Sequence, residues 1–556
     1  MKFFAAKLEE GVKGGNGKPS VGPVYRNLLS EKGFPPMDSD ITTAWDVFSK
    51  SVEKFPYNKV LGWRRIVDEK VGPYMWKTYK EAYGEVLQIG SAIRALGAEP
   101  GCRVGIYGVN CPQWIIAMEM THEDVYLSFL PLAHILDRMN EEYFFRKGAS
   151  VGYYHGDLNV LRDDIQELKP TYLAGVPRVF ERIHEGIQKA LQELNPRRRF
   201  IFNALYQHKL SWLNRGYSHS KASPMADFIA FRKVKTVLIM SFFLYFGSFV
   251  FGHYITSPLG GFGFPLKIRD KLGGRIRLLV SGGAPLSCEI EEFLRVTCCC
   301  FVVQGYGLTE TLGGTALGFP DEMCMLGTVG IPAVYNEIRL EEVAEMGYDP
   351  LGEIQAGEIC IRGTCLFSGY YKNPELTQEV MKNGWFHTGD IGEIHPNRVL
   401  KIIDRKKNLI KLSQGEYVAL ENLENIYGQN SVVQDIWVYG DSFKSMLVAV
   451  IVPNPETVNR WAKDLGFTKP FEELCSLSEL HDEHIILELK STAEKNKLRK
   501  FEYIKAVTVE TKPFDVERDL VTATLKNRRN NLLKYYQSAN VPLYRYKSTK
   551  CTENCR

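Results

Sequence analysis

A long stretch without charge constrains this chain more than any other feature of its sequence. From Thr236 to Leu266 there is no Asp, Glu, Lys or Arg, whereas about 20 apolar residues are enough to cross a bilayer as a helix. Such a stretch predicts either a membrane span or a segment that does not belong to the surrounding domain. The pattern of the neighbouring sequence decides between these two interpretations.

On both sides of this stretch, short apolar runs alternate with helical patterns. Residues 79–97 carry apolar side chains at helical spacing and end at Gly97, and Pro112–Met120 begins another helix. Strand-like runs occur at Val104–Gly108, Val125–Leu130, Tyr172–Ala174, Ile276–Ser281 and Val302–Val303. This alternation predicts an α/β fold, with a large N-terminal domain over residues 1–403 in which mixed or parallel sheets are flanked by helices.

The pattern changes after about Asp404. Val433–Tyr439 and Met446–Val452 bracket a polar turn and predict a hairpin, which helical sequence follows. We therefore predict a small C-terminal α+β lid domain over residues 404–537, joined to the large domain at Asp404–Lys407. Residues 538–556 form a tail of different character.

Composition excludes several classes of protein. A formal net charge of +4 from 69 basic and 65 acidic residues gives no reason to expect nucleic acid as a partner. Twelve cysteines in 556 residues are too dilute for a disulfide scaffold. The consecutive Cys298–Cys300 and the tail pair Cys551 and Cys555 do not have the spacing of a zinc site. The first twenty residues do not predict a signal peptide.

Four turns rich in glycine, threonine or acidic residues accompany the apolar strands: Leu278–Leu286 (LLVSGGAPL), Gln304–Thr311 (QGYGLTET), Gly384–Gly392 (GWFHTGDIG) and Asp404–Val418 (DRKKNLIKLSQGEYV). Small residues let a planar ring or a phosphate approach the backbone, and a ring, a hydroxyl and a carboxylate close together suit a nucleotide with Mg²⁺. Each turn alone also has a purely structural explanation. His387, beside Trp and Phe, is more often a packed residue than a general base.

In this order and spacing the four turns resemble those of the acyl-adenylate-forming, AMP-binding enzymes. The block from Gly384 to Val418 is similar to the signature of the long-chain fatty acyl-CoA synthetases, in particular those of plants. Leu130–Asn140 (LPLAHILDRMN) and Thr171–Ile183 (TYLAGVPRVFERI) also match, and they favour this group over the related coumarate ligases. The resemblance covers residues 1–233 and 268–537.

The resemblance implies ATP- and Mg²⁺-dependent activation of a long-chain fatty acid, through an acyl-adenylate, to its thioester with coenzyme A. It implies a nucleotide site built from all four turns: Gly282, Gly283, Ala284, Tyr306, Gly307, Thr309, Glu310, Asp390 and Arg405. By resemblance, Tyr306 stacks on the adenine, Thr309 holds the α-phosphate and Glu310 holds the Mg²⁺. Asp390 and Arg405 hold the ribose hydroxyls.

Three further residues receive roles from the same resemblance. Lys526, in the segment ATLKNRR, corresponds to the family's lysine that neutralises charge at the reacting carboxylate, and it is expected to be catalytic together with Thr309 and Glu310. Lys407 corresponds to the hinge about which the small domain moves. His134 is expected to line the acyl site rather than to transfer a proton.

The sequence departs from the family in two places. The Ser/Thr/Gly-rich loop that ends in Pro-Lys-Gly and wraps the ATP phosphates is absent, because Pro112–Met120 runs directly into Thr121–Val125. On the order of a hundred residues are therefore missing at 120/121, part of them from the sheet framework. The second departure is the apolar insertion over residues 234–267. A membrane span there would place two sides of one nucleotide domain across a bilayer from each other, so the topology favours a translated intron over a real span.

These departures leave two functional hypotheses. One is a long-chain fatty acid–CoA ligase whose activity is impaired by the missing loop, with fatty acid, ATP and coenzyme A as partners. The other is a non-catalytic nucleotide- or acyl-binding pseudoenzyme. By resemblance, we expect peripheral association with the cytosolic face of the endoplasmic reticulum membrane, and a membrane-anchored scaffold that uses the apolar segment is a further alternative.

Overall fold

The computed structural model of the protein describes residues 2–15, 17–36, 40–41, 43–67, 70–95, 121–130, 134–156, 161–219, 221–227, 231, 272–522 and 526–538. Several features discussed above lie outside these ranges. They are the predicted strand Val104–Gly108, the predicted helix Pro112–Met120, the apolar insertion 234–267 and the tail beyond Ser538.

The strands in chain order are β1 (Ala5–Glu9), β2 (Val24–Asn27), β3 (Lys59–Val67), β4 (Lys70–Thr78), β5 (Val125–Ser128), β6 (Ser150–Tyr153), β7 (Tyr172–Gly175), β8 (Leu278–Ser281), β9 (Phe301–Tyr306), β10 (Ala316–Leu317), β11 (Ile331–Pro332), β12 (Asn336–Glu341), β13 (Gln355–Gly363), β14 (Met381–Lys382), β15 (Trp385–Ile394), β16 (Leu400–Arg405), β17 (Leu409–Lys411), β18 (Tyr417–Ala419), β19 (Val433–Tyr439), β20 (Leu447–Pro453) and β21 (Ile504–Val509).

The α-helices are α1 (Ala44–Lys54), α2 (Tyr79–Ala95), α3 (Ile135–Arg146), α4 (Leu161–Leu168), α5 (Pro177–Gln192), α6 (Pro196–Asn214), α7 (Pro224–Ala226), α8 (Cys288–Thr297), α9 (Pro374–Val380), α10 (Leu420–Tyr427), α11 (Pro455–Asp464), α12 (Phe471–Leu474), α13 (Ile486–Lys495) and α14 (Arg529–Ser538). A π-helix covers Glu479–Ile485, and short 3₁₀ turns include Thr309–Thr311 and Lys406–Asn408.

The larger sheet has, within the described ranges, nine strands in the order β11-β10-β9-β8-β7-β5-β6-β3-β4. Its middle is parallel from β3 to β9, and antiparallel strands lie at both edges. The central strand β8 (LLVS) is buried along its whole length, as expected for a parallel strand covered by helices on both faces. Helix α8, which follows it, is capped by Ser287, whose hydroxyl accepts a hydrogen bond from the backbone nitrogen of Ile290.

A second sheet packs seven antiparallel strands in the described part of the chain, in the order β1-β2-β12-β13-β15-β14, with β16 beside β15. Its core side chains, among them Ile338, Ile359 and Phe386, form a cluster of their own. Strands β15 and β16 position the end of this sheet beside the carboxyl ends of the parallel strands.

The C-terminal part has a separate hydrophobic core that contains Leu423, Val438, Ile451 and Leu489. Strands β19 and β20 form the predicted antiparallel hairpin, and β21 adds in parallel to β20. Strand β20 (LVAVIVP) is buried throughout because it is the middle strand and helices pack beside it. The α/β class, with mixed and parallel sheets and a smaller α+β unit, is thus confirmed.

The predicted elements agree with the structure where it describes them. Residues 79–97 were expected to be helical and form α2 (Tyr79–Ala95), and the runs near Val125, Tyr172, Ile276 and Val302 form β5, β7, β8 and β9. In the described ranges, every helix falls short of the length or the apolarity that a membrane span requires.

Candidate active site

A cavity of about 340 Å³ opens at the carboxyl ends of β8 and β9. These two strands are parallel neighbours, so the turns that follow them meet at the same edge of the sheet. Residues from the end of the antiparallel sheet and from the C-terminal part complete the lining. The lining residues are His134, Ile135, Leu136, Val280, Gly282, Gly283, Gly305, Gly307, Leu308, Thr309, Glu310, Gly313, Thr388, Gly389, Asp390, Arg405, Lys407 and Lys526.

The glycine turn after β8 leaves room for a flat ligand. A Cβ atom on Gly282 would lie 3.3 Å from Cδ2 of Leu136, and Gly283 has φ +84°, a conformation that favours glycine. Both glycines line the cavity, whereas Ala284, the third residue expected there, is not among its lining residues. The absence of side chains at the two glycines therefore gives a planar group direct access to backbone.

The turn after β9 depends on a close approach between two backbone segments. A Cβ atom on Gly307 would lie 1.9 Å from the carbonyl oxygen of Gly313, so a larger residue would push the loop away from the cavity. This packing holds Thr309, which is exposed, and Glu310 at the cavity wall. One carboxylate oxygen of Glu310 accepts a 2.8 Å hydrogen bond from the hydroxyl of Tyr370.

Asp390 reaches the cavity through an irregularity in β15. The register between β13 and β15 shifts between Glu358 and Cys360, so that residues 388–390 form a bulge, a feature common beside active sites. Gly389 in the bulge has φ +71°. Its backbone nitrogen donates to Oε1 of Glu358 at 3.0 Å, and the backbone nitrogen of Asp390 donates to the hydroxyl of Thr388 at 3.0 Å. These two hydrogen bonds hold the backbone of the bulge in place.

Tyr306, Asp390 and Arg405 meet in one hydrogen-bonded group. The Tyr306 hydroxyl donates to Oδ2 of Asp390 at 2.6 Å, and Nε of Arg405 donates to Oδ1 at 3.2 Å. Asp390 and Arg405 are also directly paired across β15 and β16. Since Asp390 is only 3% exposed, its carboxylate is held in one orientation, towards the cavity that it lines.

Burial dominates the electrostatics of this group. It raises the pKa of Asp390, although Arg405, Tyr306 and Lys526 act in the opposite direction. Burial and the neighbouring Asp390 carboxylate raise the pKa of Tyr306 well above its ordinary value, so that it remains a hydrogen-bond donor. The group therefore offers a ligand one carboxylate and one guanidinium in fixed positions.

Lys526 approaches the cavity from the C-terminal part. Its loop is closed by hydrogen bonds between Thr522 and Lys526 in both directions, at 2.8 Å and 3.1 Å, and Nδ2 of Asn527 donates to the backbone oxygen of Ile436 in β19 at 2.9 Å. Burial lowers the pKa of Lys526, and Arg405 acts in the same direction, while Glu421 and Asp390 oppose them. Lys526 and the Asp390 group thus belong to one electrostatic site.

His134 also lines the cavity, and it is the N-cap of helix α3. Its Nδ1 accepts a hydrogen bond of 3.3 Å from the backbone nitrogen of Leu136. Burial and the charge of Lys526 lower the pKa of His134, which favours the neutral ring. The ring is therefore a helix cap beside the cavity.

Comparison with known proteins identifies the family to which the chain belongs. The model of the AMP-binding enzymes matches residues 48–119 and 118–371. Long chain acyl-CoA synthetase 1 of Arabidopsis thaliana is 68% identical over 693 aligned residues, which include 99% of this chain and 100% of the relative. The chain belongs to the AMP-binding enzymes, among the long-chain acyl-CoA synthetases.

Other comparisons agree. Long chain acyl-CoA synthetase 4 of Arabidopsis thaliana is 37% identical, with 98% of each chain covered. Among solved structures, the A domain of carboxylic acid reductase from Segniliparus rugosus, in complex with AMP and a co-purified carboxylic acid, matches with a TM-score of 0.53 and 27% identity. That match covers 75% of this chain, which spans 54% of the length of the reductase chain.

The structure of this acyl-CoA synthetase family member brings most of the predicted site residues to one cavity. Thr309, Glu310 and Lys407 line it with the glycines, and Tyr306 joins it through Asp390. Sequence reasoning did not single out Thr388 and Tyr370. Thr388 could have been found, because it lies in the quoted segment GWFHTGDIG, whereas no sequence signal links Tyr370 to Glu310, sixty residues away.

Proposed function

We propose that this cavity is the site at which a long-chain fatty acid is activated with ATP, through an acyl-adenylate, and then transferred to coenzyme A. One observation carries the proposal: residues from all four turns and Lys526 converge on one cavity at the carboxyl ends of parallel strands. In open α/β sheets, this edge is where nucleotides bind. The high identity to a long chain acyl-CoA synthetase supports the choice of substrate class.

The chemistry explains why such residues are required. A carboxylate is a poor electrophile without a good leaving group. In adenylation the carboxylate oxygen attacks the α-phosphorus of ATP and pyrophosphate leaves, so that AMP becomes the leaving group when the thiol of coenzyme A attacks the acyl carbon. In the proposed site, the Asp390 carboxylate and Arg405 orient the ribose hydroxyls, Tyr306 and the glycine turn bound the adenine, and Thr309 donates to the α-phosphate. Lys526 offsets negative charge where carboxylate and phosphate meet.

Glu310 fits the role of a Mg²⁺ ligand. It presents a hard carboxylate oxygen, which Mg²⁺ prefers, and Tyr370 fixes its orientation from the other side. The metal would supply charge neutralisation at the phosphates. Glu310 is the residue of this chain that we assign to holding it.

The C-terminal part is proposed to act as a lid over residues 404–537, with residues 1–403 as the AMP-binding domain. Strand β16 ends at Arg405, and a 3₁₀ turn over Lys406–Asn408 separates it from the strands of the C-terminal part. This supports a hinge at Lys407, which lies between the two hydrophobic cores. His134, whose lowered pKa favours the neutral ring, is proposed to line the path of the acyl chain.

As it stands, this chain is proposed to be impaired, because the loop that wraps the ATP phosphates is missing at 120/121. Two observations support this. The family match is interrupted next to that position, with stretches 48–119 and 118–371. The alignment with the 68%-identical relative spans 693 residues, more than the 556 of this chain, so over a hundred aligned positions have no counterpart here.

The experiment that tests function and impairment together is ATP–pyrophosphate exchange with a long-chain fatty acid. The purified chain is compared with a variant into which the corresponding loop of the 68%-identical relative is restored. We expect fatty-acid-dependent exchange from the restored chain, and at least ~100-fold less from the chain as it stands, since losing one such donor alone costs about 3–4 kcal/mol. Exchange at equal rates would refute the impairment, and no exchange from a folded, AMP-binding restored chain would refute the function.

Peripheral association with the cytosolic face of the endoplasmic reticulum is the location that we propose. It rests on the long-chain substrate, whose product partitions into membranes, and on the family. Cell fractionation followed by carbonate extraction tests it: a peripheral protein sediments with microsomes and is released by carbonate. Retention after carbonate would instead favour a membrane segment within residues 234–267.

A further inference from the structure

A cluster of metal-ligand side chains lies in the antiparallel sheet, on the neighbouring strands β12, β13 and β15. Glu341, Cys360 and His387 each offer one ligand atom, and these atoms all lie within 4.8 Å of one another. Cys360 and His387 are direct cross-strand partners. None of the three has a role in the proposed reaction.

We propose that Cys360, His387 and Glu341, with Glu358 beside them, form a binding site for a divalent metal ion of the zinc type.

The distances fit a shared ion. Sγ of Cys360 lies 3.5 Å from Nδ1 of His387. A tetrahedral zinc ion with bonds of about 2.3 Å to sulfur and about 2.05 Å to nitrogen holds these two atoms roughly 3.5–3.6 Å apart. Oε2 of Glu358 lies 3.8 Å from the same nitrogen, so it lies close enough to complete the site after a small movement of its side chain.

The local charges also suit a dication. Two carboxylates, Glu341 and Glu358, meet at this point. Arg339 donates to Oε2 of Glu341 at 3.2 Å, and the charge of Lys406 acts on Glu358. With Cys360 bound as a thiolate and its proton released to solvent, three negative ligands balance the ion and Arg339. Thiolate, imidazole and carboxylate are the ligand types of protein zinc sites.

Burial favours a structural ion over a catalytic one. Cys360 is fully buried and His387 nearly so, while Glu341 and Glu358 are partly exposed, and the four side chains together can fill a closed tetrahedral shell. Glu358 also accepts from the backbone nitrogen of Gly389 in the bulge that carries Asp390. An ion here would therefore fix the strands directly behind the nucleotide cavity.

The test uses cobalt as a spectroscopic substitute for zinc in the purified full chain. We expect one equivalent of cobalt to give a thiolate-to-cobalt charge-transfer band that zinc abolishes. Cys360→Ser should remove the band and weaken zinc binding more than ~100-fold, a larger loss than is caused by changing a residue that only orients a metal ligand. Cys365→Ser, another buried cysteine of the same region, is the matched control and should retain the band.

A second pair of variants guards against misfolding and against binding elsewhere. Glu341→Gln changes a partly exposed side chain, and it should weaken zinc binding while circular dichroism stays unchanged. A Cys551→Ser/Cys555→Ser variant should bind as the natural chain does. Absence of the band in the natural chain, its persistence in Cys360→Ser, or its loss in the tail variant would each overturn the proposal.

Discussion

The binding of AMP should depend on the Asp390 carboxylate more than on any other single side chain. Asp390→Ala removes an acceptor that is 3% exposed and that holds both the Tyr306 hydroxyl and Nε of Arg405. In the proposed complex the same carboxylate accepts from the two ribose hydroxyls. Hydrogen bonds to a charged group contribute about 1.5–3 kcal/mol each, so losing two should cost about 3–6 kcal/mol, or a 10²- to 10⁴-fold weaker affinity.

Isothermal titration calorimetry with AMP is the suitable assay, because AMP lacks the β- and γ-phosphates that the phosphate loop, which we infer to be missing, would hold. Tyr306→Phe serves as a graded control, since it keeps the ring and removes one hydroxyl; we expect a loss of about 1 kcal/mol, roughly fivefold. Circular dichroism establishes that each variant is folded. If folded Asp390→Ala binds AMP as tightly as the natural chain, the assignment of Asp390 to the ribose is refuted.

Three further predictions concern charge. In the loop-restored chain, Lys526→Ala should slow pyrophosphate exchange about 10²- to 10³-fold. With Lys526 present, the exchange rate should fall as pH rises through the lowered pKa of Lys526, and Lys526→Arg should move this decline to higher pH. Exchange rates measured against pH test both expectations. Arg178→Ala breaks the contact of helix α5 with Asp435 in the C-terminal part and should speed proteolysis near residues 406–408 about fivefold or more. Lys189→Ala breaks the exposed Lys189–Glu456 pair and should have little effect; timed digestion compares the two variants. Burial raises the pKa of Glu141 to about 8, so the free energy of unfolding of the unmutated chain should fall between pH 5 and pH 8. The Glu141→Gln variant should be several kcal/mol more stable than the unmutated chain at pH 8 but nearly equal to it at pH 5. Urea unfolding at the two pH values measures the difference.

The sign of the last prediction follows from proton binding. A carboxyl whose pKa is raised on folding binds more protons in the folded state than in the unfolded state throughout this pH range, so stability decreases as pH rises. A Glu141→Gln variant whose stability falls with pH as steeply as that of the natural chain would contradict this account. Equal proteolysis rates for Arg178→Ala and Lys189→Ala would contradict the prediction for the Arg178 contact. A pH profile of exchange for Lys526→Arg that coincides with that of the chain carrying Lys526 would contradict the prediction for Lys526.

Much of the fold could be predicted from apolar patterning. The hairpin of β19 and β20 and the buried strand β8 were visible because their apolar runs are short and bounded by turn residues. The antiparallel sheet that contains β12, β13 and β15 was not identified from the sequence, because its pairings join strands far apart in the chain, such as β2 with β12. Such pairings depend on tertiary packing rather than on local pattern.

In the candidate site, too, some features could be predicted from the sequence and others depend on tertiary structure. The types and order of Tyr306, Asp390 and Arg405 could be recognised as a resemblance, since motifs retain residue identity. Their contacts depend on the bulge at residues 388–390, which a single register shift creates and which alternation along one strand does not reveal. The contact of Arg178 with the C-terminal part joins positions more than 250 residues apart, and no local signal marks it.

A crystal structure of the chain with AMP would test the central claim most directly. We predict the adenine against Gly282 and Gly283 beside the Tyr306 ring, with both ribose hydroxyls within hydrogen-bond distance of the Asp390 carboxylate. AMP bound at any other place, with Asp390 still occupied only by Tyr306 and Arg405, would contradict it.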